Sequence, residues 1–98
     1  MTMIAISRNI KGKSPDEAYE ATVDKLPDLD YVIWKTRPLA WLVIANRELP
    51  EGKINANVSF RPGEEALLNI SLSCDTMEEG ALQAAGDNLA DAIMSLFE

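Results

Sequence analysis

An alternation of apolar and polar side chains along most of residues 53–74 is the feature that most constrains the fold of this chain. The alternation forms two runs on either side of Pro62-Gly63. The apolar members are Ile54, Ala56, Val58 and Phe60 in the first run, and Ala66, Leu68, Ile70, Leu72 and Cys74 in the second. A period of two is typical of strands with one buried face, and a slip of one residue would turn a strand inside out. The pattern predicts a hairpin with an odd-length loop, in which Phe60 pairs with Ala66 and Val58 with Leu68.

Three further elements follow from local signals. Residues 2–10 alternate as a short strand. Ser14-Pro15-Asp16-Glu17 has the residues of a capping box with proline in the first turn, which predicts a helix to about Leu26. Thr76 and Glu79 form a second capping-box pattern before a C-terminal helix of about twenty residues, long enough to cross a sheet.

Residues 32–46, VIWKTRPLAWLVIAN, predict another hairpin, which turns near Arg37-Pro38. Each apolar run is shorter than the ~20 residues of a membrane span, so we expect no membrane partner. With a loop of even length, one face would hold Val32, Trp34, Trp41, Val43 and Ala45. Residues 39–45 are apolar on both faces, so each face needs a cover. The C-terminal helix supplies one cover, and a loop, a partner subunit or a ligand must supply the other.

The candidate binding residues come mainly from this hairpin. They are Trp34, Arg37, Trp41, Val43 and, in the last helix, Gly86. Both tryptophans remain open among three roles, as core residues, interface residues or walls of a ligand site. Glycine inside a helix is unfavourable, so Gly86 indicates a close approach to the sheet or to a ligand.

The order of elements predicts an α+β fold, β-α-β-β-β-β-α, with a curved five-stranded antiparallel sheet, a short N-terminal helix and a long C-terminal helix packed across one face. This order resembles the TATA-binding-protein-like fold and the helix-grip fold of the birch pollen allergen, START and polyketide-cyclase families. Residues 6–19, ISRNIKGKSPDEAY, are similar to the strand, loop and Ser-Pro-x-Glu helix start of helix-grip proteins. Those proteins are usually longer, with extra strands and a second short helix that widen the grip into a ligand cavity. This chain lacks the residues for them.

Length and charge limit the range of partners. Ninety-eight residues suit a single domain, 1–98. The net charge of -7 argues against nucleic acid, which is bound through a basic surface. Every Lys and Arg lies between Arg8 and Arg61, and the following part is purely acidic. That part is either a solvated helix face or a docking surface for a basic partner or basic neighbouring subunit. One cysteine and no apolar signal region indicate a cytoplasmic protein.

The chain offers little for catalysis. It has no histidine, which removes histidine-dependent triads and imidazole metal sites, and its acids lack the spacing of a calcium loop. We therefore expect no metal, no cofactor and no catalytic residue.

Three hypotheses follow. The first is a small cytoplasmic interaction protein, a homodimer or a subunit of an assembly. The second is a carrier or sensor of a small apolar ligand bound between the sheet and the last helix near Gly86. The third, which ranks below the other two, is an enzyme that uses Asp or Glu alone.

Overall fold

The computed structural model describes residues 1–97, and its elements follow the predicted order. The strands are β1 (Thr2–Ile10), β2 (Val32–Arg37), β3 (Leu42–Leu49), β4 (Gly52–Arg61) and β5 (Ala66–Cys74). The helices are α1 (Pro15–Lys25) and α2 (Glu79–Met94), and 3-10 turns cover Leu26–Leu29, Pro38–Ala40 and Ser95–Phe97. The α+β prediction with five strands and two helices is confirmed.

The five strands form one antiparallel sheet in the order β1-β5-β4-β3-β2. Helix α2 packs mainly on β1 and β5, and α1 packs on β4 and β5. One face of the sheet therefore carries both helices and the core. On the other face, called the open face, no helix of residues 1–97 packs. The two outermost strands are β1 and β2, so β2 is a free edge.

Helix α1 begins as its sequence indicates. The Ser14 hydroxyl accepts a hydrogen bond from the Glu17 backbone N–H at 3.2 Å, and Pro15 occupies the first helical position. The helix ends at Lys25, with Leu26 as its C-cap. Local capping chemistry explains this element, because the cap satisfies a backbone donor that would otherwise have no partner.

The capping box predicted for α2 is wrong. Glu78 is the N-cap residue and makes no side-chain cap, and the α-helix has 16 residues rather than about twenty. The Thr76 hydroxyl instead donates to the Glu51 carbonyl at 2.5 Å, which ties the β3–β4 turn to the start of α2. Gly52, at φ 152°, lies beside Thr76, where any side chain would collide with that hydroxyl. The Thr76 hydroxyl, which the sequence predicts as a local helix cap, therefore makes a tertiary hydrogen bond instead.

The β4–β5 hairpin has the predicted buried face but a different register. Phe60 pairs with Leu68 and Val58 with Ile70, two residues further along than predicted. The last pair, Arg61 and Leu67, encloses an odd loop of residues 62–66. A shift of two keeps every side chain on its face, so burial alone cannot distinguish the two registers.

The β2–β3 hairpin corrects the predicted face. Its closing pair is Arg37 and Leu42, so the loop of residues 38–41 is even in length. A β-bulge between Ile33 and Lys35 then shifts the register by one. Val32 pairs with Asn46 on the open face, while Val43 and Ala45 are buried on the core face. The predicted grouping of Val32 and Trp34 with Val43 and Ala45 is therefore wrong, because an inserted residue reverses which way the earlier part of the strand faces.

Candidate functional site

Four apolar side chains form a surface on the open face of the β2–β3 hairpin. This surface, the hairpin patch, consists of Val32, Trp34, Leu42 and Ile44. Val32 is 66% exposed and Trp34 70% exposed, whereas Leu42 and Ile44 are half-buried. Trp34 lies at the bulge opposite Ile44, and its exposure shows that it is not a core residue. Leu39, at the tip of the hairpin, is 98% exposed.

Most of the rest of the open face is polar. Its three strands β1, β5 and β4 present mostly serine and asparagine, as the sequence predicted for the second hairpin. The apolar surface of the hairpin patch is therefore a local departure at the β2 edge. Surface apolar residues that cluster in this way mark contact sites more often than scattered single ones.

Arg37 lies beside this patch, at the end of β2, and is exposed. It pairs with Leu42, so both project from the open face. Of the five predicted site residues, the structure places Trp34 and Arg37 on the open face of β2 and the other three elsewhere.

Trp41 belongs to the turn and not to the hairpin patch. It adopts a left-handed backbone conformation, φ 49°, after the 3-10 turn Pro38–Ala40. Its indole Nε1–H donates to an Asp16 carboxylate oxygen at 2.6 Å, and its half-buried ring packs against the core. Trp41 therefore connects the hairpin tip to α1.

Val43 and Gly86 are interior residues. Val43 is completely buried, and Gly86 is buried against β1. A Cβ at Gly86 would lie 2.6 Å from Ile4 Cδ1 and 2.7 Å from Ile6 Cδ1. The close approach to the sheet predicted at this glycine is therefore present, and no space is left there for a ligand.

A cleft of about 240 Å³ lies to one side of Gly86, between α2, β3 and the segment that precedes β2. Its lining has a polar part and an apolar part. The polar residues are Asp28, Asp30, Tyr31, Arg47 and Asn88, and the apolar ones are Leu29, Ala85 and Leu89. This volume is below the ~300 Å³ at which ligand pockets usually begin, so only a small molecule or part of one would fit.

Tyr31 is the unusual residue of this cleft. The residue is 3% exposed, and its hydroxyl is buried without a hydrogen-bond partner among the described residues. Arg47 stacks over the ring, with its Cζ 5.9 Å from the ring centroid, and its Nη2 lies 4.0 Å from a carboxylate oxygen of Asp30. Burial raises the pKa of the Tyr31 phenol, and Arg47 opposes the rise through its positive charge and through the ability of its guanidinium to donate to the ionised phenolate. The phenol is thus neutral and able to donate or accept a hydrogen bond.

Sequence reasoning missed the Tyr31 cleft. Its residues come from three separate segments, and no spacing connects them. The register of the β2–β3 hairpin brings Tyr31 beside Arg47. Val32 pairs with Asn46, so the residue before Val32 lies opposite the residue after Asn46. Without the bulge, Tyr31 would face Glu48. The only local signal is the Asp28-Leu29-Asp30-Tyr31 stretch, which is typical of an ordinary polar turn.

No group of three or more His, Cys, Asp or Glu side chains that could hold a metal ion occurs within residues 1–97. In the same range, no helix has the length and apolar character needed to cross a membrane. Cys74 is buried, as its place in the alternation predicted.

Comparison with known proteins identifies the fold. No family model matches the chain, and no curated protein matches it either. The crystal structure of Ara h 8.0201 superposes with a TM-score of 0.73 at 8% identity, covering 98% of this chain and 97% of that chain. The chain has the helix-grip fold. The protein TTHA0849 from Thermus thermophilus gives a TM-score of 0.56 at 11% identity, covering 97% of this chain and 91% of that chain. At such identities the likeness shows the helix-grip fold alone.

Proposed function

We propose that this helix-grip chain is a small cytoplasmic interaction protein whose hairpin patch is covered by another protein chain. The observation that carries the proposal is the exposure of Trp34, at 70%, beside Val32 on a free edge strand. Covering a tryptophan is worth more than covering any other single side chain, since aromatic residues dominate the energetics of interfaces. The covering chain is a second copy, which would make a homodimer, or a different subunit of an assembly.

The edge position supports this proposal. β2 pairs with β3 on one side only, so its other side presents free backbone donors and acceptors. Natural proteins protect such edges, and the bulge at Trp34 interrupts this one. A partner chain on the hairpin patch would thus bind through side-chain contacts and not by adding a continuous strand to the edge of the sheet.

Photo-crosslinking in cells tests the proposal. A crosslinking residue at Val32 is expected to give a covalent adduct of larger mass. The same residue at Met3 is the matched control, because Met3 is 63% exposed and lies on β1, at the opposite edge of the open face. It is expected to give little adduct.

Light scattering of the purified protein distinguishes the two kinds of partner. A concentration-dependent mass that Trp34→Ala abolishes and Met3→Ala preserves would identify a second copy. The proposal is wrong if Val32 gives no adduct and the protein is strictly monomeric at high concentration.

A second candidate function rests on Tyr31. A buried hydroxyl without a partner costs about 1–3 kcal/mol, and a ligand that accepts or donates a hydrogen bond there would recover part of that cost. The mixed lining of the cleft suits a small amphipathic molecule, with its apolar part against Leu29 and Leu89. This chain would then be a carrier or sensor of such a ligand.

Native mass spectrometry of the protein purified from cells tests this second function. A non-covalent adduct is expected in the wild type and is expected to be lost in Tyr31→Phe. An adduct-free wild-type spectrum would remove the carrier hypothesis.

A further inference from the structure

The basic residues of this molecule lie mainly in the sheet and the acidic residues mainly in the helices, a separation that the net charge of -7 does not reveal. The strands hold six cations and one acid, whereas the helices and 3-10 turns hold eight acids and one cation. The purely acidic part of the sequence that follows Arg61 is thus only one part of the pattern. Screening limits the reach of exposed charges to about 8–10 Å, so a partner on the open face is affected mainly by the local cations.

Four of these cations lie on the open face, either on β2 itself or on β4, the strand next to β3. They are Lys35, Arg37, Lys53 and Arg61, and all are exposed. None of them takes part in an ion pair within residues 1–97, whereas Arg8, Lys13 and Arg47 each do. Glu48 is the one acid of the strands, and it lies opposite Lys53 in the β3–β4 register without forming an ion pair with it among the described residues. The open face therefore has positive charge that the described part of the molecule leaves unneutralised.

A hollow of about 310 Å³ lies within this positive surface. Its lining combines an aromatic ring, an aliphatic side chain and polar groups. The lining residues are Trp34, Ile44, Ala45, Asn46, Lys53 and Asn55. An aliphatic side chain would contact Trp34 and Ile44 there, while Lys53 at the rim is placed to meet an adjacent carboxylate.

We propose that the partner segment on the hairpin patch is acidic and inserts an aliphatic side chain into the hollow beside Trp34. This inference rests on the proposed function and specifies the chemistry of the partner. The carboxylates of the segment would pair with Lys35, Arg37 and Lys53, and electrostatic complementarity of this kind selects partners and speeds association.

Two other occupants fit the same surface less well. A second copy that docked its own open face symmetrically would place these four cations against their equivalents, and like charges oppose each other. Single-stranded nucleic acid is bound by stacking successive bases on several aromatic rings, but Trp34 is the one aromatic residue on the open face of the described strands.

Panning a library of random decapeptides on the wild-type protein tests the inference, with counter-selection on Trp34→Ala. We expect enrichment of peptides that carry Asp or Glu next to Leu, Ile or Val. The affinity of a synthetic enriched peptide is then measured by fluorescence in the Trp41→Phe background, where Trp34 is the only tryptophan reporter.

Charge variants complete the design. Lys35→Glu with Arg37→Glu is expected to reduce the affinity by about tenfold or more, as expected for charge contacts at a binding surface. Lys11→Glu with Lys25→Glu changes the net charge equally. Lys11 follows the opposite edge strand β1 and Lys25 ends α1 on the helix-covered face, so this variant is expected to change the affinity less than about twofold.

Each result has a definite meaning. Enrichment of basic or uncharged peptides that depend on Trp34 would overturn the acidic partner and leave the proposed function intact. No enrichment over Trp34→Ala would overturn both. Binding of decauridylate RNA that exceeds peptide binding and is lost in the Lys35/Arg37 variant would also overturn the inference, in favour of nucleic acid.

Discussion

Replacing Tyr31 by phenylalanine is expected to raise the free energy of unfolding by about 1 kcal/mol. The structure sets this magnitude through two facts: the residue is 3% exposed, and its hydroxyl has no hydrogen-bond partner among the described residues. Burial of an unpaired hydroxyl costs about 1–3 kcal/mol in protein mutational data. Its removal recovers most of that cost, reduced by the lost attraction between the phenol oxygen and Arg47.

Urea denaturation followed by circular dichroism measures the change, with the free energy extrapolated linearly to zero urea. A gain of about 1 kcal/mol corresponds to an increase in Tm of roughly 4–8 °C for a domain of this size. Tyr19→Phe is the matched control. Its hydroxyl is also buried and has no hydrogen-bond partner within residues 1–97, but Tyr19 lies on α1 and does not line the Tyr31 cleft. We expect a similar gain in stability from this control and no effect on any ligand of the cleft.

A loss of stability of about 1 kcal/mol or more in Tyr31→Phe would refute the reasoning, since it would show that the hydroxyl makes a favourable hydrogen bond in the free protein. The carrier hypothesis would then lose its main support. A gain in stability together with loss of the adduct in mass spectrometry would indicate that this hydroxyl is retained for binding at a cost in stability.

The remaining predictions concern alkaline unfolding and two local features. Burial raises the pKa of Tyr31 in the folded state, so folding favours the protonated phenol. This proton-linked part of the stability is fully present below the ordinary tyrosine pKa of about 10 and is lost as the pH rises through the folded-state pKa. Urea titrations at alkaline pH should show this loss in the wild type and not in Tyr31→Phe. Gly86→Ala is expected to lower stability by up to about 2 kcal/mol, because the overlap of its Cβ with the terminal methyl groups of Ile4 and Ile6 costs more than the gain of about 1 kcal/mol in helix propensity. Gly80→Ala should be neutral or stabilising by up to about 1 kcal/mol, because beyond its own helix backbone and chain neighbours no atom of residues 1–97 lies within 4 Å of the new Cβ. Equal effects of the two changes in thermal melts would contradict the packing explanation. Ser14→Ala should cost about 1 kcal/mol by removing the α1 cap, and Ser14→Gly much less, as measured by chemical denaturation.

Much of the fold could be predicted from the sequence because the signals are local. The alternation over residues 53–74 determines which side chains are buried, and Ser14 with Pro15 determines where α1 begins. The close approach at Gly86 could also be predicted, because a glycine inside a helix needs a compensating contact. These features depend on residues that are neighbours in the chain.

The candidate sites could not be predicted in the same way. The sequence predicts Trp34 as a binding residue, but the face on which Trp34 and Val32 lie depends on a bulge that no motif marks, since one inserted residue reverses the face of Val32. That bulge also brings Tyr31 beside Arg47, and so determines the lining of the cleft. The sequence by itself determined the order of the elements, the buried face of the second hairpin and the sum of the charges. Only the tertiary structure decided where the exposed tryptophan and the cations meet, because register and layer packing join residues that are far apart in the chain.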